Sequence, residues 1–261
     1  GECKDYGDKV DSETKGLVRP PAKRPGLLYD SVCGTENSIG LRHFSDVLHG
    51  QQFIVYKEDQ AYPHFLAVIQ VPSFSVADLI GRTVRLKSVH FRGEYLYAPD
   101  MSFEHQGNTE DRRNVLIWKS KPSKDTLAKA CFQVEQVHGA PDQVYLRSVF
   151  FDRQYMYAPD ISYKHNGDST QRRQVLIWKK EASKDTLSRA RWKVEFVEDG
   201  PYQIRLSSVH HPGQYLYAPD MSYSHDGNTK DRRQVFVWKE APSSDTLSKA
   251  RFKVEFVFDA D

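Results

Sequence analysis

Cysteine is scarce in this chain: Cys3, Cys33 and Cys131 are the only three in 261 residues. That excludes a disulfide-dense scaffold. No C-x-x-C occurs, and the cysteine spacing matches no metal signature. Long apolar runs are missing as well. Nothing approaches the roughly 18 consecutive apolar residues of a membrane-spanning helix. Charge of one sign is not in excess. Lys+Arg 37 against Asp+Glu 35 leaves +2, too balanced for a dedicated polyanion binder, so nucleic acid is not an expected partner. There is no glycosylation sequon, because Asn108, Asn166 and Asn228 are each followed by the wrong residues. No G-x-S-x-G, H-E-x-x-H or phosphate-cradling loop is present.

What is present suits a folded protein of one or two domains. Charged residues make up 28% and hydrophobic residues 39%, which excludes collagen-like and low-complexity chains. The aromatic share of 12%, mostly Tyr and Phe, favours β-structure. The sequence opens Gly1-Glu2-Cys3, as it would after removal of a signal segment or at an imposed boundary. Cys3 and Cys33 are both N-terminal, and a single disulfide between them would tack the tail down. Together these features lead us to expect a secreted, extracellular protein.

The strongest signal is internal. Tyr95-Leu96-Tyr97-Ala98-Pro99-Asp100 returns as Tyr155-Met156-Tyr157-Ala158-Pro159-Asp160 and as Tyr215-Leu216-Tyr217-Ala218-Pro219-Asp220, a period of 60 residues. Trp118-Lys119, Trp178-Lys179 and Trp238-Lys239 follow in register, as do Asp125-Thr126-Leu127 and its two copies. The repeats are residues 84–143, 144–203 and 204–261. Self-similarity at a fixed period constrains architecture before propensity does. Each repeat reads as four short strands, in the first Val84–Val89, Tyr95–Ala98, Val115–Lys119 and Phe132–Val137. Period-two alternation is clearest where Phe252, Val254 and Phe256 oppose Lys253 and Glu255. A serine at 123, 183 or 243 before a short Leu/Ala run predicts one capped helical turn.

Three units of four strands must close on themselves. A propeller typically takes four or more blades, and an open solenoid of three leaves two strand edges to be capped. The arrangement that closes with three is a β-trefoil, a six-stranded barrel with three hairpins. The Gly-x-Tyr-Leu-x-Ala pattern of Gly93–Ala98 and Gly213–Ala218 resembles the second strand of β-trefoil repeats, fascin-like and lectin-like ones included. The Phe-x-Val-Glu segments resemble their fourth strands. The resemblance covers residues 84–261 and implies an all-β fold. It does not extend to the ricin-type Gln-x-Trp motif, since Gln174 and Gln234 precede Trp by four residues. Residues 1–26, with Pro20, Pro21 and Pro25, read as a solvated arm. Residues 27–83 do not repeat. Their apolar stretches Gln52–Tyr56 and Phe65–Val71 read as strands of an extension packed on the trefoil, since ~55 residues make a marginal core on their own.

The polar residues common to all repeats concentrate in one connection. It holds Asp100, Ser102, His105, Arg112 and Arg113 in the first, Asp160, Ser162, His165, Arg172 and Arg173 in the second, and Asp220, Ser222, His225, Arg232 and Arg233 in the third. Phe103, Tyr163 or Tyr223 accompanies each set. The functional reading is three equivalent ligand sites. The aromatic ring stacks on a sugar, His and Asp orient hydroxyls, and Arg grips an acidic group. Three such sites on one body give avidity for clustered ligands. The structural alternative is that Asp100 forms an Asx-turn or pairs with an arginine of its own loop, while His105 seats the turn at Gly107. Asp100-x-Ser102-x-x-His105 lacks a third firm metal ligand, so no metal or other cofactor is expected.

Trp118, Trp178 and Trp238 are expected to pack at the barrel cap and Trp192 in the core. Alternation from Phe132 turns Cys131 outward. Gln136, where Phe196 and Phe256 face the core, is expected to loosen the first repeat locally. Catalysis is not expected, because a threefold chain presents like groups where an active site needs unlike ones. The sequence points to a secreted, non-enzymatic, lectin-like protein whose partners are glycans or glycoproteins. The alternative is an extracellular protein-interaction, immune or storage scaffold. Intracellular filament binding is a third possibility, opposed by the N-terminal features.

Overall fold

A computed structural model describes residues 74–197, 200 and 202–257, together with the backbone of four strands nearer the N-terminus. Residues 1–74 and 75–261 form two compact units. In the first, β1 (Val32–Thr35) pairs antiparallel with β2 (Ser38–Leu41), and β3 (Gln52–Glu58) with β4 (Pro63–Gln70). The second hairpin covers the apolar stretches read as strands. The arm at 1–26 and the Cys3 and Cys33 side chains lie outside the described residues.

The second unit begins with a short helix, α1 (Val76–Leu79), whose Leu79 is buried. The first repeat then contributes β5 (Thr83–Ser88), β6 (Tyr95–Tyr97), β7 (Arg112–Asn114), β8 (Leu116–Trp118), helix α2 (Lys124–Lys129) and β9 (Phe132–Val137). The second contributes β10 (Ala140–Ser148), β11 (Tyr155–Tyr157), β12 (Ser162–His165), β13 (Asp168–Gln174), β14 (Leu176–Trp178), α3 (Lys184–Arg189) and β15 (Trp192–Phe196). The third contributes β16 (Gln203–Ser208), β17 (Leu216–Tyr217), β18 (Arg232–Gln234), β19 (Phe236–Trp238), α4 (Ser244–Lys249) and β20 (Phe252–Val257).

The six strands that bound the repeats close into a barrel. Within each junction β9 pairs with β10, β15 with β16 and β20 with β5; these placements set Phe132 opposite Ser148, Trp192 opposite Ser208 and Phe252 opposite Ser88. The remaining three contacts are shorter: β5 to β9, β10 to β15 and β16 to β20. The ring leaves none of these six strands as an open edge. Alternation in β5 buries Val84, Leu86 and Ser88 and leaves Arg85 and Lys87 partly exposed. Phe132, Trp192 and Phe252 are fully buried, each worth roughly 1.5–3 kcal/mol of transfer free energy. The Trp192 indole N–H also donates to the Met156 carbonyl at 3.1 Å.

Each repeat also carries a strand that the four-strand reading did not contain. β7, β13 and β18 reach across to β14, β19 and β8 of the next repeat, so that Arg112 faces Trp178, Arg172 faces Trp238 and Arg232 faces Trp118; on the other side β13 pairs with β12 of its own repeat. The helical turns form where expected. The Ser123, Ser183 and Ser243 hydroxyls accept from the N–H of Thr126, Thr186 and Thr246 at 3.1, 3.1 and 3.2 Å.

Two expectations are corrected. Cys131 is a buried free thiol rather than a surface one. It precedes β9 and still belongs to the helix exit: its N–H bonds to the Ala128 carbonyl and its Sγ to the Leu127 carbonyl at 3.2 Å. Strand alternation therefore does not reach it. Phe196 and Phe256 are only half-buried, at the end of their strands, and Gln136 is exposed, so the polar residue at this position replaces a rim contact and not a core one.

Candidate functional site

The long polar connection of each repeat is a hairpin of its own. In the first, the His105 N–H donates to the Asn108 carbonyl and the Asn108 N–H to the His105 carbonyl, both at 3.0 Å. The two residues between them, Gln106 and Gly107, have φ of 52° and 77°. Paired left-handed residues define a turn whose twist matches the flanking strands. Asn166-Gly167 and Asp226-Gly227 repeat the geometry. Glycine at the second position accepts this conformation without the Cβ clash that other residues incur.

The hairpin does not fold back on its own repeat. The rings of Phe103, Tyr163 and Tyr223 pack against the buried clusters around Tyr157, Tyr217 and Tyr97 respectively, each in a neighbouring repeat. Tyr163 meets Phe236 with centroids 4.4 Å apart. These half-buried aromatics thus bridge adjacent repeats. Ser102, Ser162 and Ser222 accept from Lys179, Lys239 and Lys119 across the same boundaries at 3.1, 3.0 and 3.2 Å.

The arginines divide into two roles by alternation along their strand. Arg113, Arg173 and Arg233 point inward. Each reaches the aspartate of its own hairpin: Arg113 to Asp100 at 2.5 Å, Arg173 to Asp160 at 3.1 Å, and Arg233 to Asp220. Each also crosses to the neighbouring repeat, where the Nε of Arg113 and of Arg173 donates to Gln154 and Gln214 at 3.1 and 3.4 Å. Arg233 takes Glu94 there instead, at 2.9 Å. The guanidinium–aspartate pairing within one loop is thus present in all three repeats, while the aspartate side chains remain 74%, 55% and 80% exposed.

Arg112, Arg172 and Arg232 point to the opposite side. Their Nε atoms donate to the Tyr157, Tyr217 and Tyr97 hydroxyls at 3.0, 2.9 and 3.0 Å. Each guanidinium lies 5.3 Å from the ring centroid of Trp178, Trp238 or Trp118. The tryptophans stand edge-on to the same tyrosines. Burial pushes the Tyr97 and Tyr217 hydroxyls up to about 12 despite the neighbouring arginines, so they remain protonated. Burial raises Tyr157 in the same way.

Two of these boundaries open into surface clefts of about 240 and 350 Å³. The first takes His105 and Arg112 from one repeat and Tyr157, Asp160, Trp178 and Arg189 from the next. The second takes His225 and Arg232 from the third repeat and Tyr97, Asp100, Trp118 and Lys129 from the first. Corresponding residues line both. The candidate residues therefore assemble differently from the sequence reading: His105 and Arg112 meet Asp160 rather than Asp100, and His225 and Arg232 meet Asp100 rather than Asp220. At the third boundary Arg172 makes the same contacts to Tyr217 and Trp238.

Sequence reasoning assigned the three tryptophans to packing alone, yet Trp118 and Trp178 are half-exposed walls of the clefts. Their signal was the Trp-Lys pair repeated three times next to a strand rich in arginine. His210 and His211 were also passed over, because their repeat equivalents are His90-Phe91 and Phe150-Phe151. His211 is buried, and its Nε2 lies 3.6 Å from Asp160. Burial, reinforced by the Arg173 charge, lowers its pKa to about 4. Burial acts to raise the Asp160 carboxyl, but His211, Arg189 and Arg173 outweigh it and hold the group below its ordinary value.

Comparison with known proteins leaves the assignment to these contacts. No protein-family model matches the sequence, and no curated protein matches it significantly. Among solved structures, the chain is similar to the SDF2-like protein of Arabidopsis thaliana at 12% identity, over 67% of this chain and 93% of that one, with a TM-score of 0.49. It is similar to a Polyporus squamosus lectin bound to a sialylated epitope at 13% identity, over 68% and 49% of the two chains, with a TM-score of 0.43. It is also similar to the Haemophilus ducreyi cytolethal distending toxin at 12% identity, over 78% and 96%, with a TM-score of 0.47. Likenesses this distant assign no role. Among the described residues no helix is long and apolar enough to cross a membrane.

Proposed function

We propose that this protein is a secreted, non-enzymatic β-trefoil that binds carbohydrate in the clefts between its three repeats. The observation that carries the reading is the recurrence of one constellation at successive boundaries, with a half-exposed tryptophan, an arginine stacked on it, a histidine and an aspartate. A tryptophan beside several hydrogen-bonding groups suits the mixed apolar and hydroxyl faces of a sugar ring. The first cleft balances Arg112 and Arg189 against Asp160 and Asp185. The second balances Arg232 and Lys129 against Asp100 and Asp125. That balance favours neutral glycans, with acidic ones held only where the arginine outweighs the aspartates. Three equivalent sites multiply affinity for clustered glycans on a glycoprotein.

The test is a glycan array probed with the full chain and with a variant carrying His105→Ala, His165→Ala and His225→Ala. Binding by the parent that falls at least tenfold in the variant, with the fold intact by circular dichroism, supports the reading. No binding to any neutral or acidic glycan at high protein density refutes it. The second reading is an extracellular protein-interaction scaffold. It is favoured by Val149 and Phe150, adjacent residues 45% and 46% exposed, since exposed apolar side chains grouped together mark protein contacts.

A further inference from the structure

One boundary differs from the other two. Asp160 follows Pro159 at the edge of the first cleft, and the loop between β16 and β17 brings His210 and His211 against it. The Nε2 of His210 lies 3.6 Å from one carboxylate oxygen of Asp160, and the Nε2 of His211 lies 3.6 Å from the other. The donor atoms of the three residues all fall within 4.8 Å of one another.

The His211 side chain is only 9% exposed, and its Nε2 has no hydrogen-bond partner. The Ala158 carbonyl accepts from the same ring. With Nε2 unpartnered, that bond belongs to Nδ1. The proton therefore sits on Nδ1, and Nε2 presents a lone pair. Opposite it is a carboxylate oxygen, which also presents only lone pairs. The carboxylate is exposed and that oxygen already accepts from Arg173 at 3.1 Å, whereas the buried Nε2 has no partner; a cation bridging the two would satisfy the imidazole. A backbone carbonyl on the second ring nitrogen is the usual way a metal-binding imidazole is oriented.

The other repeats show that packing does not require imidazole here. Phe91 and Phe151 occupy the position of His211, each 3.5 Å beneath the guanidinium of Arg233 or Arg113. A phenyl ring fills the corner in both. The histidines at 210 and 211 supply nitrogen donors that the fold does not need.

We propose that Asp160, His210 and His211 form a single site for a divalent transition-metal ion, with zinc as the ion that two imidazoles and one carboxylate suit best. Zinc bonds of about 2.0–2.2 Å in tetrahedral geometry place neighbouring donors roughly 3.3 Å apart, leaving a fourth position for water or a ligand. The two histidine–aspartate separations of 3.6 Å need to close by only a few tenths of an ångström, and all three donors already lie within 4.8 Å of one another. Arg173 and Arg189 also approach Asp160, at 3.1 and 3.5 Å. Their charge opposes a cation and makes this a weaker site than a structural zinc centre. It does not block the site, because each carboxylate oxygen carries two lone pairs.

The experiment is calorimetric titration of the chelator-treated full chain with zinc chloride, alongside a variant carrying His210→Phe and His211→Phe. That variant reproduces Phe150-Phe151 of the second repeat, so the corner is built to tolerate it. Asp160→Asn serves as a second variant. The expected result is that both variants bind one equivalent of zinc fewer than the parent, with circular dichroism unchanged. Cobalt(II) is expected to show visible absorption of a tetrahedral site in the parent, lost in both. Failure of the parent to bind zinc, or equal stoichiometry in parent and variants, overturns the proposal.

Discussion

Replacing Glu94 separates two ways in which the inward arginines are satisfied. The Arg233 and Glu94 side chains are 6% and 13% exposed. They meet through two bonds, Nε to Oε2 at 2.9 Å and Nη2 to Oε1 at 3.1 Å. The guanidinium also lies 3.5 Å over the Phe91 ring and holds Asp220 at the edge of its repeat. Arg233→Met leaves Glu94 buried and uncompensated, a change that costs about 3–5 kcal/mol. Glu94→Gln removes a charge but keeps an acceptor of the same shape. Gln154 and Gln214 already do this for Arg113 and Arg173. One of the two bonds is lost, at a cost of about 1 kcal/mol. Urea unfolding followed by tryptophan fluorescence reports on this unit alone, because all four tryptophans lie within it. The m-value is expected to be unchanged in both variants. The reasoning is refuted if Glu94→Gln costs as much as Arg233→Met, or if Arg233→Met costs less than about 1 kcal/mol.

Other outcomes follow from the same contacts. Ser183→Ala removes the hydroxyl that accepts from Thr186 and is expected to cost about 1 kcal/mol in the same unfolding assay. Cys131, buried beneath the Leu127 carbonyl, is expected to resist a thiol reagent in native protein and react at once in denaturant; rapid native labelling would contradict its placement. His211 titrates at about 4 when folded against an ordinary 6.5. The unfolded chain therefore takes up its proton first as pH falls, so metal-free protein loses stability between about pH 6.5 and 4, by about 3 kcal/mol at most. His211→Phe is expected to flatten that part of the acid-unfolding curve, and parallel curves for parent and variant would refute the assignment.

The barrel strands were legible because alternation and the 60-residue period agree: Val84, Leu86, Phe132 and Phe252 are buried where the pattern put them. The capped turns were legible from Ser123, Ser183 and Ser243. The strands β7, β13 and β18 were not, because these polar, arginine-containing segments carry no apolar alternation and each has a partner in another repeat. That omission propagated to the site. Asp100, His105 and Arg112 are close in sequence, so they were read as one cluster, whereas the register sets Arg112 against Trp178. Phe103, Tyr163 and Tyr223 were likewise grouped with their own loop, whereas the surface they pack against belongs to the neighbouring repeat. The histidine pair at 210–211 is matched by Phe150-Phe151 in the second repeat, and a reading built on what recurs gives it no role.

The crossing contacts run in one direction around the ring, with Arg112 reaching Tyr157, Arg172 reaching Tyr217 and Arg232 returning to Tyr97. No repeat owns a whole cleft. A chain cut after the second repeat would keep the cleft between the first and second repeats, while the one between the third and first needs Arg232 and His225 from the missing repeat. Whatever these clefts hold, their walls are assembled between repeats, so completing them is contingent on ring closure.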